Sequence, residues 1–208
     1  MTRPDFEACI ARWQETIEAI RQSAFNLHAS VNQTYDGTHP YSLHLQMVAD
    51  GVLRYGHSVC ACADDVLPIV FGAYFHDSIE DARLTYNDVT RIASRYMTTA
   101  QAQMAAEIVY ALTNDKGRTR AERAGERYYQ GIRTTPYAPL VKLADRLANT
   151  SYSASHANEA NRHMQMVYAN EFTHFMQSIH TEGDDPRMAL PCDMADELAG
   201  ISTGQKAR

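Results

Sequence analysis

The chemistry in this chain concentrates in three short stretches. The first is His76-Asp77-Ser78-Ile79-Glu80-Asp81, which closes a strongly apolar segment containing Val66, Leu67, Ile69, Val70, Phe71, Tyr74 and Phe75. Burying charge without partners is costly, so ionisable groups in such a place need a reason. On a helix His76 and Glu80 share one row, and Asp77 and Asp81 the next. The three crowded carboxylates would be relieved by a cation; the plain alternative is a helix end followed by an acidic loop. The second stretch is Val141-Lys142-Leu143-Ala144-Asp145-Arg146-Leu147-Ala148-Asn149. Asp145 and Asn149 share a helical face flanked by Lys142 and Arg146, while Val141, Leu143 and Leu147 point inward. An acid amid an apolar helix needs a partner, either a metal or an ion pair with Lys142 or Arg146. The third is His44, which alone reads as a core histidine among Leu43, Leu45 and Met47. Taken together, His44, His76, Asp77 and Asp145 make a mixed nitrogen and oxygen donor set. Such a set suits Mn²⁺, Fe²⁺, Mg²⁺ or Zn²⁺ rather than a soft metal. Adjacent His76 and Asp77 reach one ion only where the helix ends or is distorted. The other histidines (His28, His39, His57, His156, His163, His174 and His180) lack an acid-rich setting and read as structural.

The elements that must position these residues are helical nearly throughout. Phe6, Ile10, Trp13, Ile17, Ile20, Ala24, Leu27 and Val31 recur at three- and four-residue steps and predict one long amphipathic helix. Asn32 to His39 reads as a loop, and Pro40 suits the first position of a helix that turns Leu43, Met47, Val48 and Val52 inward and ends near Gly56. Thr85 and Asp88 read as a capping box. Further helices are expected near 100–112 and 119–131, from Pro136 to about Asn149, from about Asn158 to His180, and near 188–199. The penultimate helix is expected to bury Met164, Val167, Tyr168, Phe172, Phe175 and Ile179. No strand and no repeat stands out. The expectation is an all-α protein with one domain of about eight helices over 1–182, a short helix and tail over 183–208, and fraying from Ser202.

Charge and composition narrow the function classes. The chain has 25 acidic and 19 basic residues, net −6, which disfavours non-specific duplex nucleic-acid binding. Yet Lys116 to Arg146 holds eight basic residues against three acidic ones, which reads either as a solvated helix face or as a patch for a phosphate-bearing ligand. No apolar run approaches the ~18 residues of a membrane span. The N-terminal residues resemble no secretory signal. Cys9, Cys60, Cys62 and Cys192 form no zinc pattern and read as reduced, mostly buried thiols, which points to the cytoplasm.

The order His, then His-Asp, then Asp resembles the HD superfamily of metal-dependent phosphohydrolases. In detail it is similar to the hydrolase domain of RelA/SpoT proteins and to the small alarmone hydrolases. Pro-Tyr-x-x-His is Pro40 to His44, and His-Asp-x-x-Glu-Asp is His76 to Asp81. Leu-Thr-x-x-Lys is Leu112 to Lys116, and Val-Lys-Leu-Ala-Asp-Arg-Leu-x-Asn is matched in full by 141–149. The similarity covers about 25–155. It implies an all-α fold, one Mn²⁺ on His44, His76, Asp77 and Asp145, an acidic catalytic pair Glu80 and Asp81, and Asn149 positioning substrate. It also implies hydrolysis of the 3′-pyrophosphate of guanosine tetra- and pentaphosphate. The family places an arginine before its Gly-x-Pro-Tyr loop to stack on guanine. Here no Lys or Arg occurs between Arg21 and Arg54, and Tyr35 or His39 is the residue available to stack on a base.

The expected chemistry is therefore metal-assisted hydrolysis of a phosphorylated nucleotide. Glu80 or Asp81 would shuttle a proton, and Lys142, Arg146 and Lys116 would neutralise phosphate charge. Two readings compete with it: the same chemistry on another nucleotide or dinucleotide phosphate, and a non-catalytic nucleotide-binding module. The C-terminal helix, with Met164, Met166, Phe172, Phe175 and Met176, could serve a homo-oligomer or simply pack inward.

Overall fold

Helical periodicity becomes helix in the structure, a computed structural model that describes residues 1–156 and 158–204. The chain runs α1 (Arg3–Arg12), α2 (Gln14–Ser30), β1 (Thr34–Tyr35), β2 (His39–Pro40), α3 (Ser42–Tyr55), α4 (Val66–Phe75), α5 (Tyr86–Ala93) and α6 (Thr99–Leu112). It continues with α7 (Arg120–Arg123), α8 (Glu126–Thr134), α9 (Ala138–Ser155), α10 (Glu159–Ile179) and α11 (Cys192–Ser202). The fold is all-α, with one small antiparallel hairpin that pairs Thr34 with Pro40 and Tyr35 with His39. No described helix is long and apolar enough to cross a membrane.

A helix that is apolar all round has to lie among its neighbours. In α4 every residue is buried, and α2, α3, α6 and α9 pack around it. Fully burying a Val, Leu, Ile or Phe side chain contributes about 1.5–3 kcal/mol, so Val66, Ile69, Val70, Phe71 and Phe75 anchor the molecule. Gly72 is where α6 comes closest: a Cβ there would stand 2.6 Å from Ile108 Cγ2. Against this pillar, α3 buries Leu45, Val48, Ala49 and Val52, and α9 buries Leu140, Val141, Leu143, Ala144 and Leu147. Leu43 and Met47, expected inward, are only partly buried, because the buried face of α3 runs through His44 instead.

Several expected boundaries move, each for a local reason. The long N-terminal helix is two, broken at Trp13, so that Phe6 reaches Gly56 while Ile17, Ile20 and Ala24 meet the α3–α4 side. The expected loop at 32–39 contains the hairpin. Asp36 and Gly37 both adopt positive φ, a conformation that Asp-Gly accepts readily. Pro40 belongs to β2, so α3 starts at Ser42. The 119–131 stretch divides into α7 and α8 around Ala124 and Gly125. Tyr137 sits at φ 67°, outside helical space, so α9 begins at Ala138 rather than Pro136. Its conformation is held by Tyr137 Oη donating to Asp65 Oδ2 and by its N–H donating to Arg187 O at 2.7 Å. At its other end α9 continues past Asn149 to Ser155, burying Thr150, Tyr152 and Ser153. The Thr85–Asp88 capping box is present as expected, and Thr98–Gln101 and Thr119–Glu122 form two more.

In α10, Phe175 and Ile179 are buried, but Met164, Val167, Tyr168 and Phe172 are only partly so. The last helix starts later than expected, at Cys192, and includes Ser202; residues 205–208 of the expected tail lie outside the described residues. All four cysteines are free, but only Cys60 is buried; Cys62 and Cys192 are exposed.

Candidate metal centre

Three helices deliver the ligand candidates to one point. The hairpin and Tyr41 hand the chain into α3, whose first turn buries His44. α4 stops at Phe75, so His76 and Asp77 occupy the turn beyond its end, where neighbouring side chains can aim at one place. α9 brings Asp145 from its middle, with Val141, Leu143 and Leu147 buried around it. His44, His76 and Asp145 are all buried, and one ligand atom from each lies within 4.8 Å of the others. The two Nε2 atoms are 3.2 Å apart, and Asp145 Oδ1 is 3.3 Å from that of His44. Asp77 Oδ2 lies 2.9 Å from His76 Nε2 and 3.6 Å from His44 Nε2.

The fine structure of this group suits a cation. His76 Nδ1 lies 2.9 Å from the Ala73 carbonyl, which only accepts, so Nδ1 carries the hydrogen and, in the neutral ring, Nε2 is the nitrogen with its lone pair toward the centre. Burial works against charge on both imidazoles, yet Asp145 and Asp77 outweigh it, raising His44 to about 9 and His76 also above its ordinary value. Burial would likewise raise Asp77 and Asp145, but their cationic neighbours hold both well below the usual carboxylate range. Two protonated Nε2 atoms 3.2 Å apart would repel each other. A cation shared between two neutral imidazoles and the carboxylates would remove that repulsion, and the mixed nitrogen and oxygen donor set suits a divalent ion.

Neighbouring groups fix the orientation of the ligands. Asn149 Nδ2 donates to Asp145 Oδ1 at 2.6 Å, and Lys142 Nζ donates to Asp145 Oδ2 at 2.8 Å. Tyr35 donates to Asn149 Oδ1 at 2.9 Å and stacks on His44 with centroids 5.0 Å apart. Tyr41 donates to Asp77 Oδ2 at 2.5 Å, and its ring stacks on His28 at 4.8 Å. His28 is buried with neither ring nitrogen hydrogen-bonded, and burial pushes it down to about 4.

The ligands open onto a cavity of about 330 Å³, whose lining includes Asp77, Glu80, Asp81, Lys142, Arg146 and Asn149. Asp81 is pushed up to about 6 by burial and by Asp77 beside it. Glu80 lies at the exposed rim and accepts from Asn114 Nδ2 at 2.8 Å. Arg146 pairs with Glu171 at 2.9 Å rather than with Asp145. Lys116 is exposed and is not among the residues lining the cavity; Arg120, four residues on, lines it instead. Tyr35 and Asn149 line the cleft, but their polar ends are engaged with one another and with Asp145. His39 is held by Asp36 and Tyr152 at the exposed hairpin.

The chain matches no protein-family model and no curated protein. The resemblance drawn from the motifs rests on those motifs alone.

Reading the sequence missed several residues that the structure brings to the cleft. Tyr41 was legible only as a neighbour of His44, and Arg120 lay within the basic stretch without being singled out. Glu171 and Tyr168 come from α10, across a tertiary contact that no local spacing encodes.

Proposed function

We propose that this protein is a metal-dependent phosphohydrolase, and that its substrate is a guanosine tetra- or pentaphosphate alarmone from which it releases the 3′-pyrophosphate. The observation that carries this reading is the buried His44–His76–Asp145 group with Asp77 against it, beside a cleft whose lining holds both acids and cations. His44, His76, Asp77 and Asp145 would hold the ion; the mixed donor set suits Mn²⁺, Fe²⁺, Mg²⁺ or Zn²⁺, and the resemblance implies Mn²⁺. A divalent ion there supplies an activated water and neutralises charge on a phosphoryl oxygen.

The chain's own residues supply the rest. Lys142 and Arg146 face the cleft and offset the charge of an incoming phosphate. Asp81 lines the cleft beside Asp77 and would be the group of the acidic pair to take a proton from water. Glu80, tied to Asn114, lines the cleft and would be the other member of that acidic pair. Tyr41 and Asn149 keep Asp77 and Asp145 turned toward the imidazoles.

A second reading, hydrolysis of another nucleotide or dinucleotide phosphate, draws on one observation. The hairpin carries no Lys or Arg, and Tyr35 is stacked on His44 rather than standing free for a base. A substrate panel at fixed Mn²⁺ separates the two. Pyrophosphate released fastest from guanosine tetraphosphate supports the alarmone reading. Faster turnover of another nucleotide, with no release from the alarmone, would replace it.

A further inference from the structure

Beside the metal cleft lies a second, larger cavity of about 530 Å³, lined by Tyr129, His174 and Phe175 among others. That volume falls within the range of small-molecule sites. Arg120, Arg146 and Glu171 line this chamber, and the two arginines also line the metal cleft, so they stand at the junction. Arg120 grips Glu171 in a fork, with Nε 2.9 Å from Oε1 and Nη2 3.1 Å from Oε2. Arg146 Nη1 reaches the same Oε2 at 2.9 Å. Arg146 is 8% exposed, with its guanidinium 4.3 Å from the Phe175 ring centroid and 4.9 Å from that of Tyr168. Two guanidiniums thus converge on one carboxylate. Among the described residues no second carboxylate pairs with either arginine; the other acid lining the chamber, Glu126, is paired with Arg133. Planar guanidinium forks match phosphate oxygens as well as they match a carboxylate.

We propose that Arg120 and Arg146 form a second anion subsite, which binds a phosphate or pyrophosphate group of the substrate other than the one cleaved, and that Glu171 is its internal counter-ion, displaced when that anion arrives. The substrate part of this inference rests on the phosphohydrolase reading; the subsite itself does not. The arginines come from α7 and α9 and the carboxylate from α10, so an arriving anion would exchange one set of charged hydrogen bonds for another without exposing an unpaired buried cation.

The test is calorimetric titration of the full chain with inorganic pyrophosphate in excess EDTA, which takes the metal centre out of play. Wild type should bind. Arg120→Gln should weaken binding roughly tenfold, as the loss of one charged fork predicts. Glu171→Gln keeps the side-chain shape but removes the competing charge, and should tighten binding several-fold. His76→Ala should bind as wild type does. Circular dichroism checks the fold of each variant, and Glu171→Gln serves if Arg120→Gln does not fold. Absence of binding, an affinity unmoved by Glu171→Gln, or binding abolished by His76→Ala would overturn the subsite. Pyrophosphate binding with the expected variant pattern but no hydrolysis under Mn²⁺ would leave the subsite standing and remove the phosphohydrolase reading instead.

Discussion

Single side chains decide whether the centre can hold an ion. Tyr41 contributes one hydroxyl, donated to Asp77 Oδ2. Groups that orient metal ligands commonly account for 10–100-fold in metal affinity. Tyr41→Phe should therefore weaken Mn²⁺ binding by that factor with helicity unchanged, as measured by titration against a competing chelator. His28 behaves differently. Its folded pKa of about 4 lies below the ordinary value of 6.5, so the folded state favours the neutral ring. Its contribution to stability is fully present above pH 6.5 and is lost as pH falls toward 4, on the order of 3 kcal/mol in all. Urea unfolding of wild type and His28→Phe across pH 7 to 4 should show a shallower fall for the variant. Parallel curves would contradict this assignment. The buried His44–His76–Asp145 group, which could hold an ion, was legible only when the three stretches were taken together, since His44 alone reads as a core histidine. His28 was not legible, because its burial against Tyr41 depends on how α2 meets α3.

At the level of elements, α4 is the part that everything else is fitted around. Its end places His76, so a disturbance along it should reach the centre. Gly72→Ala drives a Cβ to within 2.6 Å of Ile108 Cγ2. Overpacking of that kind costs about 1–3 kcal/mol, which lowers the melting temperature by roughly 2–12 °C for a chain of this size. Thermal unfolding monitored by circular dichroism reads it directly. The helices were legible from their periods, and the breaks between them were not. The apolar stripe from Phe6 to Val31 keeps one period across Trp13, so nothing in that pattern marks the break there, before which Phe6 packs close to Gly56. The hairpin escaped notice because its strands are two residues each, too short for alternation to show, although Asp36-Gly37 is a turn signal.

On the scale of the whole molecule, an ion that binds the folded chain and not the unfolded one stabilises it by mass action. At one hundred times its dissociation constant the gain is about 2.7 kcal/mol. Mn²⁺ should therefore raise the melting temperature of wild type. Asp145→Asn, which keeps the side-chain size but removes the charge shared with Lys142 and His44, should lose most of that rise. An equal rise in both would move the ion elsewhere. The long α10 closes the molecule on the side of the cleft, sending Tyr168 and Glu171 to the arginines. That long-range placement is why Arg120, rather than Lys116, came to face the cavity, an outcome that spacing within 116–146 could not reveal.

The proposed activity is metal-dependent phosphohydrolysis at a His44–His76–Asp77–Asp145 centre. The most direct measurement is pyrophosphate release from guanosine tetraphosphate by wild type and Asp77→Ala, with and without Mn²⁺, assayed separately from orthophosphate. Release that requires Mn²⁺ and disappears in Asp77→Ala is the expected result. Turnover by a folded, metal-loaded Asp77→Ala protein equal to that of wild type would contradict it.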